Sequence, residues 1–323
     1  MSVSIKKLNT FGVDVQASEV IEIDSIASLR AFFASKPALW RVLGEGSNIL
    51  FTREFDGTIV LLKMDSVVEL TEETTLDTMC LRVEAGLSWD DLCDYCCLSG
   101  LWGVENLSGI PGSVGAAPVQ NIGAYGAEAS NVIRRVNYLD THDLELKSIG
   151  VDDCDFGYRS SVFKRELFGR AVIVSVDFAL QRNPLVNLSY GALAEHVASK
   201  GEVTLQNIRA SVLEIRDSKL PDPKVLGNGG SFFKNPVVNA SQFESLIAQY
   251  PAMPHYKVGD SYKIPAAYLI ESAGWKGRRV GDAGVHTNQA LVLVNYGSAT
   301  GAEVFALSEM IIRDVESKFS IVL

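Results

Sequence analysis

The sequence is short of histidine and cysteine and has no long apolar run. Its four histidines (His142, His196, His255 and His286) are scattered, and no second C-x-x-C accompanies the one at Cys93 and Cys96. A metal centre built on spaced Cys and His pairs is therefore not expected. Five cysteines, an odd number in a long chain, fit reduced thiols and not a disulfide framework. No apolar stretch approaches the about eighteen residues of a spanning helix, and Met1 to Val13 lacks the apolar centre of a secretion signal. A cytoplasmic protein is expected. Lysine plus arginine (29) fall short of aspartate plus glutamate (39), a net charge of −10. That balance repels phosphate backbones and anionic lipid, so neither nucleic acid nor membrane is an expected partner.

What is present is ordinary globular material: 47% hydrophobic and 21% charged residues over 323 positions, enough chain for two or three domains. Trp89, Leu92, Cys93, Cys96 and Cys97 fall on one helical stripe, with Ser88 as N-cap and Asp91 three residues on, so the cysteines read as core packing. Strand and helix alternate early: Val20 to Ile23 extended, Ile26 to Ser35 helical, then strands near Trp40 to Leu43 and Gly57 to Lys63. Val132 to Leu139 and Leu144 to Ser148 read as a hairpin, and Ala171 to Leu180 as a long strand. A helix from Thr204 to about Arg216 runs into a stiff joint at Pro221 and Pro223. Beyond it come a strand near Ser231 to Val238, a helix capped by Ser241, a loop from Tyr250 to Lys263, and helices near Ala266 to Ser272 and Ala302 to Ser317. The fold class is α+β, divided as residues 1–70 and 71–218, two lobes of one half, and 219–323, a separate domain.

Two glycine-rich segments stand out. Gly44-Glu45-Gly46-Ser47-Asn48 follows a predicted strand, where a turn of backbone N–H groups can face a phosphate. It lacks the third glycine and the following helix of a dinucleotide fingerprint; taken alone it is also what a tight strand connection looks like. Residues 103–126 hold six glycines with no helical or strand period, including Ile110-Pro111-Gly112-Ser113-Val114-Gly115 and Asn121-Ile122-Gly123-Ala124-Tyr125-Gly126. Two such loops can grip one diphosphate between them, with Ser113 and Asn121 satisfying its oxygens; a mobile lid is the other reading of a loop so rich in glycine.

These segments, together with Gly157-Tyr158-Arg159-Ser160-Ser161, Leu220-Pro221-Asp222-Pro223 and Gly229-Gly230-Ser231-Phe232-Phe233-Lys234-Asn235-Pro236, resemble in order and over nearly the whole chain the UDP-N-acetylenolpyruvoylglucosamine reductases, flavoenzymes of peptidoglycan precursor synthesis. The resemblance implies a two-lobed FAD-binding half of the vanillyl-alcohol-oxidase-like type, followed by an α+β substrate-binding domain. It further implies FAD held without a covalent bond, NADPH as co-substrate, and reduction of UDP-N-acetylglucosamine enolpyruvate to UDP-N-acetylmuramate by a monomer.

By the same resemblance, Gly44, Gly46, Ser47, Asn48, Ile110, Pro111, Gly112, Ser113, Gly115 and Gly123 are expected to bind FAD. Arg159 is expected to stabilise charge beside the substrate carboxylate and Ser231 to donate a proton. Tyr190, Lys219, Asn235, Tyr256 and Gln289 are expected to bind substrate or nicotinamide. Without the resemblance, Arg159 reads as a surface salt bridge and Ser231 as a strand-edge residue. Family members carry a Glu-Pro-Glu-Val-Arg-like segment where this sequence reaches Leu323. The alternatives are another flavoprotein oxidase of the same FAD fold, and a flavin and sugar-nucleotide binding protein without turnover.

Overall fold

The computed structural model describes residues 2–323. Its chain divides into two compact units, the first made of residues 2–3, 17–46 and 56–218, and the second of 4–16, 47–55 and 219–323. Segments 4–16 and 47–55, expected in the first lobe, thus group with the C-terminal residues.

In the first unit, Val3–Ser4, Gln16–Ile23, Phe55–Leu62 and Trp40–Leu43 form a sheet in that order, with the last two parallel. Helix α1 (Ile26–Ala34) begins where the Ser25 hydroxyl accepts the Ser28 N–H at 3.2 Å, and it buries Leu29 and Phe33. A second, antiparallel sheet runs Leu146–Gly150, Ile133–Asp140, Ala171–Gln181, Thr78–Glu84, Val67–Glu69. Its central strand, Ala171–Gln181, is buried almost throughout, which is why it reads as a continuous β-rich run and not as an alternation.

Helix α2 (Trp89–Leu98) packs the cysteine stripe inward. All five cysteines are free and buried, and burial pushes the Cys97 and Cys154 thiols up to about 12, so they are inert packing groups. Ser88 holds the N-cap position but its hydroxyl caps nothing; its backbone bridges to Ser113 instead. Helices α3 (Leu193–Ser199) and α4 (Leu205–Lys219) close over Cys97 with Leu193, Val197, Ile208 and Val212.

Asp177 is a fully buried carboxylate in the central strand. The residues directly across from it on either side are Arg82 and Arg135, which donate to it at 2.7 to 2.8 Å. Burial pushes this carboxyl up, but the two guanidinium groups outweigh it and hold it below the ordinary carboxylate range. Asp140 is held down in the same way, by Arg170 first and then Lys147. Both folded-state values lie below the unfolded value of about 4, so this stabilisation is complete above about pH 4 and is lost as the pH falls through the folded values. Urea unfolding at a series of pH values should show stability dropping steeply on that acid side. Asp177→Asn should lower stability at pH 7 and flatten the drop; an acid limb parallel to that of the wild type would show that the Asp177 charge does not contribute.

In the second unit, Gly227–Ser231, Val292–Asn295, Ala283–Val285 and Arg279–Val280 make an antiparallel sheet. Val237–Asn239, Ser261–Lys263 and Tyr256–Val258 make a smaller one. The single strand expected from Ser231 to Val238 is therefore two, broken across 232–236, where Pro236 offers no N–H to a ladder.

Helix α5 (Ala240–Gln249) is capped by Asn239, whose side chain accepts the Gln242 N–H at 2.9 Å, and not by Ser241. Helices α6 (Ala266–Ser272) and α7 (Gly301–Phe319) follow, the latter starting in a capping box between Thr300 and Glu303. Segments 4–16 and 47–55 belong here for a local reason. A Cβ on Gly227 would come within 2.4 Å of the Phe11 carbonyl oxygen, and one on Gly301 within 1.8 Å of that of Phe51. The Asn295 amide also donates to the Phe11 carbonyl at 3.0 Å.

Candidate active site

In the first unit the two glycine segments meet. The Glu45 carboxylate accepts the Gly112 N–H at 2.8 Å. The second loop is stitched to the turn before α2: Trp89 donates to Gly112, Val114 to Leu87 and Gly115 to Ala85, at 2.8 to 2.9 Å. Gly46 (φ +66°) and Gly112 (φ +119°) occupy backbone conformations that favour glycine. A Cβ on Gly115 would lie 2.6 Å from that of Ala85, so the loop seats against the strand only without a side chain there.

The N–H groups of Gly112, Val114 and Gly115 are thus engaged by the protein itself, and the expectation that the whole loop offers N–H groups to a ligand narrows. Ser113 remains, since neither its N–H nor its hydroxyl makes a hydrogen bond among the described residues. Gly44 keeps that pair uncovered: a Cβ there would sit 2.8 Å from the Ser113 hydroxyl and 3.4 Å from its N–H. An uncovered donor pair between two glycine turns fits an anionic oxygen such as a dinucleotide diphosphate. Ile110 and Pro111 lead into the turn, while Ser47 and Asn48 fall in the second unit.

Valine at residue 112 would be forced into a conformation costing about 1–3 kcal/mol, about 5- to 150-fold in a binding constant. Gly112→Val and Gly46→Val should therefore release FAD at concentrations where the wild type holds it, read by flavin fluorescence in the filtrate. Unchanged flavin retention in both would move the binding site elsewhere.

The third segment frames Arg159. Residues 157–160 form a tight turn closed by reciprocal backbone hydrogen bonds of Gly157 and Ser160, with Arg159 at φ +54°. The Arg159 guanidinium donates to the Asn121 carbonyl at 3.3 Å and the Gly123 carbonyl at 2.6 Å. No carboxylate among the described residues lies within 4.0 Å of it, so the surface salt bridge is not what it makes. Asn121 (φ +45°) and Tyr125 (φ +48°) share this rare left-handed conformation. Three such non-glycine residues in one cluster is the kind of strain that concentrates at functional sites. Asn121 is buried and fully committed, donating to Glu128 and accepting from Ser130, so its role is to shape the segment and not to meet a ligand. Gly123 gives Arg159 room, because a Cβ there would lie 3.1 Å from its Nη1. Tyr190, exposed, packs its ring edge-on to Tyr125 at 5.4 Å.

In the second unit Ser231 ends an irregular strand opposite Val292. Its placement is fixed from behind by Asn228, a residue the motif reading passes over although it sits within Gly-Asn-Gly-Gly. The buried Asn228 amide donates to Pro221 at 3.1 Å and Leu226 at 2.8 Å and accepts the Gly230 N–H at 2.9 Å. Gly230 takes φ +67°, and Ser231 is left exposed. Gln289 lies in the adjoining turn, its carbonyl accepting the Val292 N–H at 3.1 Å, so Ser231 and Gln289 are brought to one end of one sheet. Asn235 accepts the Ala266 N–H at 2.9 Å at the start of α6. Tyr256 is exposed on the smaller sheet, in a hairpin where a loop was expected, and Lys219 ends α4. Arg159 and Tyr190 belong to the first unit; Ser231, Lys219, Asn235, Tyr256 and Gln289 belong to the second.

Residues 222–323 match the model of the UDP-N-acetylenolpyruvoylglucosamine reductase C-terminal domain, and residues 19–143 that of an FAD binding domain. A UDP-N-acetylenolpyruvoylglucosamine reductase of Bacteroides fragilis is 45% identical over 98% of this chain and 96% of its own length. That of Pseudomonas putida is 42% identical over 99% and 95%. The crystal structure of UDP-N-acetylenolpyruvylglucosamine reductase from Thermus caldophilus superposes with a TM-score of 0.68 at 23% identity, covering 99% of this chain and 95% of that one, and shows the shared fold. With full-length relatives at this identity and both domain models in place, the chain belongs to the UDP-N-acetylenolpyruvoylglucosamine reductase family.

Proposed function

We propose that this protein reduces UDP-N-acetylglucosamine enolpyruvate to UDP-N-acetylmuramate with NADPH, using non-covalent FAD, in peptidoglycan precursor synthesis. The observation that carries the reading is family membership over both halves of the chain, joined to a glycine cradle whose one uncovered donor pair suits a diphosphate. The oxidase alternative is disfavoured by the match across 222–323, which such an oxidase does not need.

When bound, FAD supplies the hydride relay between NADPH and the enol ether. The residues around it have separate tasks. Gly44, Gly46, Gly112 and Gly115 set the shape that admits the diphosphate, and Ser113 donates to it. Ile110, Pro111, Gly123, Ser47 and Asn48 complete the proposed FAD contacts. Arg159, held by two carbonyls and without a counter-ion, turns its remaining N–H groups to the substrate carboxylate and stabilises the charge that grows beside it. Ser231 delivers the proton to the adjacent carbon. Tyr190, Lys219, Asn235, Tyr256 and Gln289 bind substrate or nicotinamide with phenol, ammonium and amide groups suited to phosphate and sugar oxygens. Residues 1–70 and 71–218 make the two FAD-binding lobes, apart from segments 4–16 and 47–55, which group with 219–323, the substrate-binding domain. The protein acts as a cytoplasmic monomer; among the described residues no helix is long and apolar enough to cross a membrane.

The test is direct. The purified protein should be yellow and release FAD on denaturation. NADPH should bleach it without air, and the enolpyruvyl substrate should restore the colour. Colourless protein that cannot be reconstituted with FAD sinks the reading, and bleaching without recovery on substrate leaves a flavoprotein of other specificity.

A further inference from the structure

Residues 182–192 of the first unit carry Tyr190 and bury none of their own side chains. Leu185, Val186 and Tyr190 are exposed, and Leu188 is only partly covered, against the cluster around Cys97. From Asn183 to Ser189 the backbone makes one bond to the rest of the described residues: the Asn187 carbonyl accepts the Asn106 Nδ2 at 2.8 Å. Apolar burial therefore does not hold Tyr190 in place, and a few polar contacts decide where it stands.

Asn106 is a firm base for such a contact. It is buried in a short turn, Glu105–Leu107, that is fixed on both sides. The Glu105 side chain accepts the Gly103 N–H at 2.6 Å, and the Leu107 carbonyl accepts the Trp89 Nε1 of α2 at 3.0 Å. The Asn106 Nδ2 donates to two carbonyls at once, those of Tyr125 and Asn187, both at 2.8 Å. Both neighbours can only accept, so the amide must turn its nitrogen to them. Asn187 adds a second tie. Its Nδ2 donates to the Gly126 carbonyl at 3.0 Å, and its Oδ1 accepts the Ser189 N–H and hydroxyl at 3.2 and 2.7 Å. Gly126 (φ +80°) gives that side chain room, because a Cβ there would lie 3.1 Å from the Asn187 Nδ2.

Four carbonyls of one glycine segment are thus divided between two tasks. Those of Asn121 and Gly123 hold the Arg159 guanidinium. Those of Tyr125 and Gly126 hold the segment of Tyr190, through Asn106 and Asn187. Arg159 and Tyr190 are built on one frame, which sets their separation. A ligand that meets both gains from finding that separation preset, since ordering a loose segment on binding costs affinity.

We propose that Asn106 and Asn187 are positioning residues: together they clasp the segment of Tyr190 to the segment that anchors Arg159, and so preset where Tyr190 meets the substrate that Arg159 holds. The inference rests on the reading above for Arg159 and Tyr190 and adds to it two residues that act through Tyr190. The Asn106 Oδ1 accepts no hydrogen bond among the described residues, so a leucine of similar size removes the clasp without stranding a donor.

The test uses the full chain loaded with FAD, comparing wild type, Asn106→Leu, Tyr190→Ala and the double variant. Chymotrypsin should cut Asn106→Leu after Leu185, Leu188 or Tyr190 about tenfold faster than wild type or more, the effect of losing two hydrogen bonds. Its dissociation constant for the enolpyruvyl substrate should rise by about the same factor, with flavin retention unchanged. On the Tyr190→Ala background the same substitution should raise that constant less than about twofold, because the residue it acts through is gone. A full further rise on that background would make Asn106 a general structural residue, and an unchanged cleavage rate would show that the clasp does not hold the segment; either result overturns the proposal. Should Asn106→Leu not fold, Asn187→Asp decides in its place. It keeps the acceptor for Ser189 and loses the donor to Gly126, and it must show the faster cleavage and the same dependence on Tyr190. A wild type that binds no enolpyruvyl substrate removes the reading of Arg159 and Tyr190, a result distinct from failure of the clasp, which the cleavage reads without ligand.

Discussion

Ser231→Ala should leave reduction of the flavin by NADPH little changed while slowing its reoxidation by the enolpyruvyl substrate by about 10²- to 10⁴-fold, the range a positioned proton donor contributes. Only the second half-reaction needs a carbon protonated. The substitution is clean because nothing in the local fold depends on the hydroxyl. The strand end is held by the Gly230 N–H to Asn228 at 2.9 Å and the Phe232 N–H to Leu291 at 2.8 Å, and both survive in the variant. Stopped-flow measurement of the two half-reactions separates the outcomes. Equal slowing of both would make Ser231 a ligand-binding or structural residue, and an unchanged second half-reaction would require another donor. A serine is a weak acid unaided, so the rate it sustains depends on the polar groups around it.

Local constraints on single residues are more legible in this sequence than the way its segments group. Glycines at 44, 46 and 112 are legible because glycine alone suits each position, for a close approach to Ser113 at 44 and for a positive φ at 46 and 112. The α2 cysteines are legible because their spacing is helical. The grouping of 4–16 and 47–55 with the C-terminal residues is not legible. It depends on carbonyl oxygens of Phe11 and Phe51 meeting glycines more than two hundred positions away, and a carbonyl looks the same in every residue. Capping failed for a related reason. Ser88 is a good N-cap by type, but the turn it occupies is already bridged to Ser113, and Asn239 wins over Ser241 because the strand before α5 ends at Asn239. Asn228 and Asn106 were passed over because their meaning lies in what surrounds them: three satisfied bonds behind Ser231 in one case, and the carbonyls of two separate segments in the other.

Arg159→Lys should slow reoxidation by substrate by about 10²- to 10³-fold, the effect of removing one preorganised donor from developing charge. NADPH-driven bleaching should be little altered, and the substrate's apparent dissociation constant should rise by a smaller factor. The argument is geometric, since both side chains carry one positive charge. The guanidinium uses one N–H on the Asn121 carbonyl and another on the Gly123 carbonyl, and its planar fork still presents further donors in a fixed direction. An ammonium is a point charge on a flexible stem. It can satisfy one of those carbonyls or turn to the substrate carboxylate, but it cannot hold the plane that a bidentate contact requires. The backbone is not the reason for the loss, because lysine meets the same penalty at φ +54° that arginine already bears. Equal slowing of both half-reactions would place Arg159 with the cofactor and not with the substrate. A variant as fast as the wild type would show that charge alone is enough, and that the two carbonyls serve only to fold the 121–126 segment around it.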